Sequence, residues 1–238
     1  MARRRSGLLP GLVVLVLAVG LLTAGLMIGD RWAKATVEQR VAQQLQVSLG
    51  TPQQPRVAIT GFPFLVQVLN RDVRAVQVAA DDLGAGNQAL LPVQHGDFTV
   101  TDVTSTDWYR TMTAGHIEGV ALLGYDDMSQ LAGLTVSYVA DGRVEINVNT
   151  QVFGVSVHAK ITGKPRLEPG KQAVTLADPK ITVAEVNLPD LTAQALLKAL
   201  VQPIELTGVP LGLKLTSVSA EGDGLHLSVA GDNVQLKP

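Results

Sequence analysis

Few side chains of this 238-residue chain could do chemistry, and those few are scattered. Cysteine is absent, which excludes disulfides, thiol nucleophiles and zinc–thiolate sites. The histidines are His95, His116, His158 and His226, and no two of them have the spacing by which zinc proteases bind their metal from one helix. The G-x-S-x-G and S-x-x-K motifs of serine nucleophiles are also missing. We therefore expect no catalytic site, and only residues assembled from distant positions could overturn that expectation.

Two local patterns suggest bound groups but are better explained as turns. Glu221, Asp223 and His226 could suggest a metal site, yet Gly222 and Gly224 lie between them, which is typical of a polar hairpin turn. The stretch G-A-G-N-Q-A at 84–89 matches a dinucleotide-binding pattern, but Leu-Leu-Pro follows where a helix should begin. We expect no metal and no cofactor. The net charge of −2 and the 4% aromatic content argue against a nucleic-acid partner.

The first 29 residues differ from the rest. Three arginines at positions 3–5 precede residues 8–28, which carry no ionisable side chain and would form a helix roughly 31 Å long. That length favours an uncleaved membrane anchor over a signal peptide, whose apolar region is shorter. We expect residues 1–29 to be a cytoplasmic start and a single-pass anchor (or a signal peptide). Residues 30–238 are then one domain outside the plasma membrane.

Three helices are expected after the apolar run. Residues 30–50 repeat apolar side chains every four positions, which predicts a helix that either continues the apolar run or bends near Gly29. A short helix is expected over residues 125–133. A longer and nearly uniformly apolar helix is expected over residues 188–203, and it needs cover on more than one side.

Most of the remaining chain alternates apolar and polar residues with the period of a strand. Asp141 and Gly142 join two such segments as a hairpin, and Leu211, Leu213 and Leu215 predict a later strand. The predicted fold class is α+β: a twisted antiparallel sheet curled around a long helix, preceded by an N-terminal transmembrane helix.

One corner concentrates the aromatic residues. The chain has four phenylalanines, and two of them flank Pro63 in the stretch Gly61-Phe62-Pro63-Phe64-Leu65. Proline favours an extended conformation before it, so both rings are predicted to project to one side. The rings could plug the core beneath the first helix, form a rim at the mouth of an apolar cavity, or touch a membrane.

The corner pattern V-x-I-x-G-F-P-F-L at residues 57–65 and the C-terminal stretch VPLGLKLTSVSAEGDGLHLSVAGDNVQL carry a resemblance. With the basic start and single apolar run, they resemble the LmeA-type phospholipid-binding proteins of the actinobacterial cell envelope. The resemblance covers most of residues 30–238 and departs from the family pattern at Val209. It implies an exported protein that holds a phospholipid in an elongated apolar cavity, a fold similar to tubular lipid-binding domains, and an association with lipomannan and lipoarabinomannan assembly.

The expected function is a membrane-anchored, non-enzymatic protein that binds phospholipid and could act in lipid transfer or lipoglycan assembly. Its predicted partners are phospholipid and the membrane. The predicted lipid-binding residues are apolar and come from the corner, the long helix and the late strand: Phe62, Phe64, Leu65, Leu191, Leu196, Leu200, Leu211 and Leu213. Arg56 or Arg71 could meet a phosphate, although solvated surface charge explains both. Two alternatives stay open: an envelope scaffold whose core is full, and an enzyme of cell-wall glycan assembly.

Overall fold

The computed structural model describes residues 8–85, 91–107, 111–152, 155–168, 170–183, 203–207 and 209–236. Its α-helices are α1 (Leu8–Leu49), α2 (Phe64–Asn70) and α3 (Tyr125–Ala132), and a 3-10 turn covers Pro210–Gly212. The strands of the described ranges are β1 (Arg56–Thr60), β2 (Asp72–Leu83), β3 (Val93–Ser105), β4 (Met112–Leu123), β5 (Thr135–Tyr138), β6 (Val144–Val152), β7 (Val155–Leu167), β8 (Ala173–Val183), β9 (Ile204–Glu205), β10 (Lys214–Ala220) and β11 (Leu225–Leu236).

The strands form two antiparallel sheets. One has six strands in the order β1-β2-β3-β4-β11-β10, and the other has five in the order β5-β6-β7-β8-β9. The sheets meet where β10 lies beside β7, and one sheet is strongly curled, like half of a barrel. The predicted α+β class with antiparallel strands is confirmed. The hairpin predicted at Asp141 and Gly142 is confirmed as the turn between β5 and β6.

Alternation along the strands builds the main core. Leu225, Leu227 and Val229 are successive inward residues of β11, and all three are buried. They belong to one large apolar cluster that also takes in residues of both sheets and of α3. A second, smaller cluster contains Ile59, Phe64, Val73 and Val103 and lies between α1, α2 and the first strands. The two clusters share no buried residue, but the partly buried Val100 of β3 packs against both and connects the corner to the main core.

The helix α1 passes through Gly29 without a break, so the predicted helix of residues 30–50 is the second half of one longer helix. It is fastened to the six-stranded sheet at two points. The backbone N–H of Ile59 donates to Glu38 Oε1 at 2.7 Å. At the far end, the N–H of Gly84 donates to the carbonyl of Leu49 at 3.0 Å. These contacts fix α1 along the edge of the sheet.

Two predicted features, the membrane anchor and the apolar helix near the C-terminus, are not confirmed, for different reasons. Within the part of the chain that the structure describes, no helix is both long enough and apolar enough to cross a membrane. The expected anchor is therefore not confirmed, and the division of the chain at residue 29 stays a prediction. The apolar helix expected over residues 188–203, around which the sheet was expected to curl, falls almost wholly outside the described residues.

The strand predicted through Leu211 is wrong at its start. Leu211 lies in the 3-10 turn with a left-handed backbone (φ 58°), and β10 begins only at Lys214. Pro210 and Gly212 flank Leu211, and this Pro-Leu-Gly sequence favours a turn before the strand. The alternating pattern nevertheless predicts the burial of Leu213 and Leu215 correctly, since both side chains are buried.

Candidate functional site

A hollow of about 240 Å³ lies between α3 and the five-stranded sheet. Its walls come from α3, from strands β5 to β9 and from β11: Met128, Ala132, Leu134, Val136, Val144, Ile146, Ile161, Pro165, Val174, Thr175, Leu176, Pro203, Ile204 and Leu225. None of these lining residues is ionisable, and among them only Thr175 has a polar side-chain group. The hollow therefore suits hydrocarbon and offers nothing to a charged headgroup.

Strand register produces the apolar floor of this hollow. Val136 pairs with Ile146, and Ile146 pairs with Ile161, so the three side chains form one row across β5, β6 and β7. Val144 lies on the same face as Ile146, two residues away along β6. Because apolar residues occupy alternate positions of these strands, their side chains lie on the face of the sheet that lines the hollow.

The helix α3 forms the opposite wall and is held by polar contacts at its ends. Met128 and Ala132 are four residues apart and so face the hollow together. The Ser129 hydroxyl donates to the carbonyl of Tyr125 at 2.6 Å and accepts the N–H of Val136 at 2.9 Å, which ties α3 to β5. At the C-terminus, Gly133 takes the left-handed conformation (φ 64°) of a helix-ending glycine.

Tyr125 connects α3 to the six-stranded sheet. Its hydroxyl donates to the carbonyl of Glu221 at 2.5 Å, in the turn between β10 and β11. Burial raises the pKa of Tyr125 to about 12, so the phenol keeps its proton and remains a donor at neutral pH. This contact holds one end of α3 against the six-stranded sheet while its side faces the hollow.

A second apolar hollow of only about 40 Å³ lies nearby, next to the C-terminal end of α1. Its lining includes Leu49, Leu213, Leu227 and Val229, and all of its lining residues are apolar. Leu225, which lines the larger hollow, precedes Val229 by four residues on the same face of β11. Leu227, which also lines the small hollow, is only two residues from Leu225, so the two hollows lie along one strand and their linings come within roughly 7 Å of each other.

A groove of about 700 Å³ lies on the opposite, solvent-facing side of the six-stranded sheet. Its lining mixes apolar residues such as Val120 with polar and charged ones, among them Arg56, Asp97, Thr99 and Glu118. Because three of these residues carry a formal charge, the groove suits acyl chains less well than the hollow beneath α3, whose lining has no ionisable residue. Arg56, a candidate phosphate ligand of the sequence analysis, lies here and not at either apolar hollow.

His95 lies at one end of this groove, between two carboxylates. Its Nδ1 lies 2.5 Å from Asp81 Oδ1, and its Nε2 lies 3.1 Å from Asp97 Oδ2. The hydrogen bond to Asp81, followed by the contact with Asp97, raises the pKa of His95 above its usual 6.5, partly offset by burial. A protonated imidazole can donate to both carboxylates at once, and that arrangement accounts for the raised pKa.

The corner at residues 61–65 is built differently from its prediction. The Phe62–Pro63 bond is cis and α2 begins at Phe64, so the chain is not extended through the second ring. Phe64 is buried, with 2% of its surface exposed, whereas Phe62 is 60% exposed. The two rings do not project to one side, and that prediction is wrong. Phe64 does lie beneath the first helix, in the cluster that Ala33 of α1 also packs against.

Two buried polar side chains, which the sequence analysis missed, hold the corner. The carboxylate of Asp30 on α1 accepts the N–H of Phe64 at 3.0 Å and that of Leu65 at 2.7 Å, and so caps the first turn of α2. The amide of Gln67 donates to the carbonyl of Thr60 at 3.3 Å and accepts the N–H of Arg74 at 3.0 Å. The only sequence signal was an Asp at the end of the apolar run.

Gly61 is required where Gln67 crosses the corner. Its φ of 94° lies in the region that favours glycine, and a Cβ there would come within 2.7 Å of Gln67 Nε2. The Gly of the G-F-P-F pattern thus serves this backbone geometry.

Of the eight predicted lipid-binding residues, the five that the structure describes do not line one common cavity. Leu213 is buried and lines the small hollow, while Leu211 is 54% exposed in its turn and Leu65 is 40% exposed on α2. Phe62, Phe64 and Leu65 are absent from the lining of both apolar hollows. Leu191, Leu196 and Leu200 lie outside the described residues. Whether any of the eight contacts lipid stays a prediction.

The acidic group near the C-terminus is a turn, as predicted. The N–H of Glu221 donates to the carbonyl of Gly224 at 2.9 Å, which closes the connection between β10 and β11. His226 Nε2 lies 3.0 Å from Asp223 Oδ1, and the ligand atoms of Glu221, Asp223 and His226 all lie within 4.8 Å of one another. These contacts follow from the turn itself, and the expectation that no metal binds stays a prediction.

Comparison with known proteins agrees with the apolar interior. The family model of LmeA-like phospholipid-binding proteins matches residues 28–230, which is most of the chain. No curated protein and no solved structure gives a match. The chain belongs to the LmeA-like phospholipid-binding family.

Proposed function

We propose that this member of a phospholipid-binding family holds part of an acyl chain in the 240 Å³ hollow beneath α3. The observation that carries the proposal is the lining of that hollow, in which no residue is ionisable. Family membership supports lipid binding in general, and the apolar lining supports an acyl chain as the part of the lipid that binds here.

The size of the hollow limits what it can hold. If a methylene needs roughly the 30 Å³ that a water molecule occupies in the liquid, a hollow of 240 Å³ takes about eight methylenes. At about 0.8 kcal/mol for each methylene, their transfer from water contributes about 6 kcal/mol. Transfer from a bilayer contributes close to nothing, because the chain is already in an apolar environment. Such a balance suits a protein that takes up lipid and releases it again.

The setting of this activity is part of the proposal. We infer that residues 8–28 anchor the chain in the plasma membrane and that the remainder lies on its outer side, because that run has no ionisable residue and follows three arginines. The protein then carries phospholipid, without catalysis, for transfer or for lipoglycan assembly in the envelope. An envelope scaffold with no bound lipid is the competing function.

The test is to fill the hollow. The full chain, expressed in a bacterial membrane and purified in mild detergent, is extracted and its phospholipid measured by mass spectrometry. Ala132→Phe places a ring in the hollow and should lower the phospholipid per protein several-fold. Ala58→Phe places the same ring in the polar groove and should leave the lipid unchanged.

Cross-linking then locates the chain. A phospholipid with a photoactivatable group on its acyl tail should label α3 or strands β5 to β8. Equal lipid in both variants, or labelling confined to other elements, would overturn the proposal. A native chain that carries no phospholipid would favour the scaffold.

A further inference from the structure

The short helix α2 turns its apolar side to solvent. Leu65, Val66 and Leu69 lie on one face of α2 by the i, i+3 and i, i+4 spacings, and all three are exposed, Leu69 by 70%. Phe62, just before the helix, is also exposed. Phe64, by contrast, is buried on the other side. A surface helix normally turns its apolar stripe to the core, and a contiguous exposed apolar patch marks an interaction site.

The adjoining part of α1 is also apolar and exposed. Leu26, Met27 and Ile28 are consecutive, so they point to different sides of the helix, yet all three are exposed. Trp32, one turn later, is 74% exposed. A helix with apolar side chains on most of its circumference needs apolar surroundings on most sides, which a bilayer provides. Tryptophan is enriched at the boundary between lipid and water.

The two apolar surfaces are fixed to each other by Asp30. This residue lies between Ile28 and Trp32, is buried, and accepts both N–H groups at the start of α2. These hydrogen bonds hold the start of α2 beside the turn of α1 that directly follows residues 26–28. We call these two surfaces together the apolar end.

Charged residues surround the apolar end without a net sign. Arg31 lies next to Trp32, and Arg71 and Arg74 lie at or just after the end of α2. Three carboxylates lie among them: Asp72, Asp102 opposite Arg74 on β3, and Asp107 next to the Thr106 carbonyl that Arg71 contacts. The choice of occupant therefore rests on the apolar surfaces and on Trp32, because a helix with exposed apolar residues and a boundary tryptophan suits a bilayer surface.

We propose that α2 is an interfacial helix that lies on a phospholipid bilayer, with Phe62, Leu65, Val66 and Leu69 at the headgroup–acyl boundary beside the exit of α1. Residues 26–28 are exposed on different sides of α1, so covering them takes apolar surroundings around the helix, which a bilayer provides and one flat face of a second copy does not. The proposal rests on the proposed function only in placing α1 in the membrane, and it does not depend on the hollow beneath α3.

The test uses single-cysteine variants, because the chain has no cysteine of its own. The full chain is reconstituted into vesicles of equal parts phosphatidylcholine and phosphatidylglycerol, and bimane is attached at Leu69→Cys. Nitroxide on the lipid should quench this label several-fold more than a label at Val139→Cys, an exposed apolar position in the β5–β6 turn. A Leu26→Cys label reports separately whether α1 is in the bilayer.

The pattern of quenching at positions 26, 69 and 139 shows whether α2 lies on the bilayer. Quenching at positions 26 and 69 but not at 139 supports the proposal. Quenching at 26 alone keeps the anchor and overturns the role of α2. In a parallel sample that carries a nitroxide at Leu69→Cys instead of bimane, spin coupling between two such labels, without lipid quenching of the bimane, identifies a second copy as the occupant and overturns it too. Phospholipid extracted from the Leu69→Cys protein should equal that of the native chain, so failure here is distinct from failure of the hollow.

Discussion

The corner at residues 61–65 and the hollow beneath α3 are both places where a short helix packs on a sheet, and they are filled in opposite ways. At the corner, Phe64 and two buried polar side chains occupy the space and meet their hydrogen-bond partners. Beneath α3, apolar side chains surround a volume that they do not fill. The corner is therefore a packed joint between α1 and α2, held by one buried ring and two polar side chains. The unfilled volume lies beneath α3, among aliphatic residues.

The largest effect is expected at the joint. Phe64→Ala should lower the free energy of unfolding by about 3–5 kcal/mol, because the ring is buried and its removal leaves a cavity. Urea denaturation of the full chain in detergent measures the change. The matched substitution Phe62→Ala should cost no more than about 0.5 kcal/mol, since that ring is exposed. If both substitutions lowered the free energy of unfolding by the same amount, the distinction between a buried Phe64 and an exposed Phe62 would be wrong.

A smaller loss is expected when the cap is removed. Asp30→Ala leaves two backbone N–H groups at the start of α2 without an acceptor and should cost about 2–3 kcal/mol in the same assay. Asp72→Ala, at an exposed position next to α2, is the control and should change little. If Asp30→Ala were as mild as its control, the corner would not depend on α1.

At the hollow, adding volume should be tolerated. Ala132→Phe should change the free energy of unfolding by less than about 1 kcal/mol, because the ring enters existing space. Ala114→Phe inserts the same ring at a fully buried position of β4 and should cost about 3 kcal/mol. Comparable losses in thermal unfolding would mean that the hollow has no room.

The smallest effect is expected at His95, which belongs neither to the corner nor to the hollow and so gives a reference for both. The pKa of His95 is raised by Asp81 and Asp97, so its pairing stabilises the fold below pH 6.5 and is lost as the pH rises through the raised value. Because the imidazole is partly exposed, solvent screening limits this gain to roughly 0.5 kcal/mol. Comparing the native chain with His95→Gln from pH 5 to 9 should show the difference only at the acid end. If the native chain gained stability over His95→Gln as the pH rose, the predicted stabilisation by the protonated imidazole would be wrong.

The sequence predicted well what depends on neighbouring residues. Alternation located most of the strands but not β4, the Asp141-Gly142 pair located a hairpin, and α3 ends within the predicted range at Gly133. It failed where a distant residue decides the geometry. The cap of α2 comes from Asp30, 34 residues before Phe64, so no local pattern could show that a helix starts within the predicted extended corner. The hollow was missed for a related reason: its lining comes from seven elements, each with an ordinary pattern.

The unbroken course of α1 also restricts how the whole protein can be oriented. A glycine at position 29 could have allowed a bend between the N-terminal run and the rest, but the helix continues through it. Directly after Gly29, Asp30 and then Glu38 fasten α1 to α2 and β1. The direction of the N-terminal half of α1 is therefore set by the same helix that packs against the sheet, so a change in its tilt would turn the sheets with it.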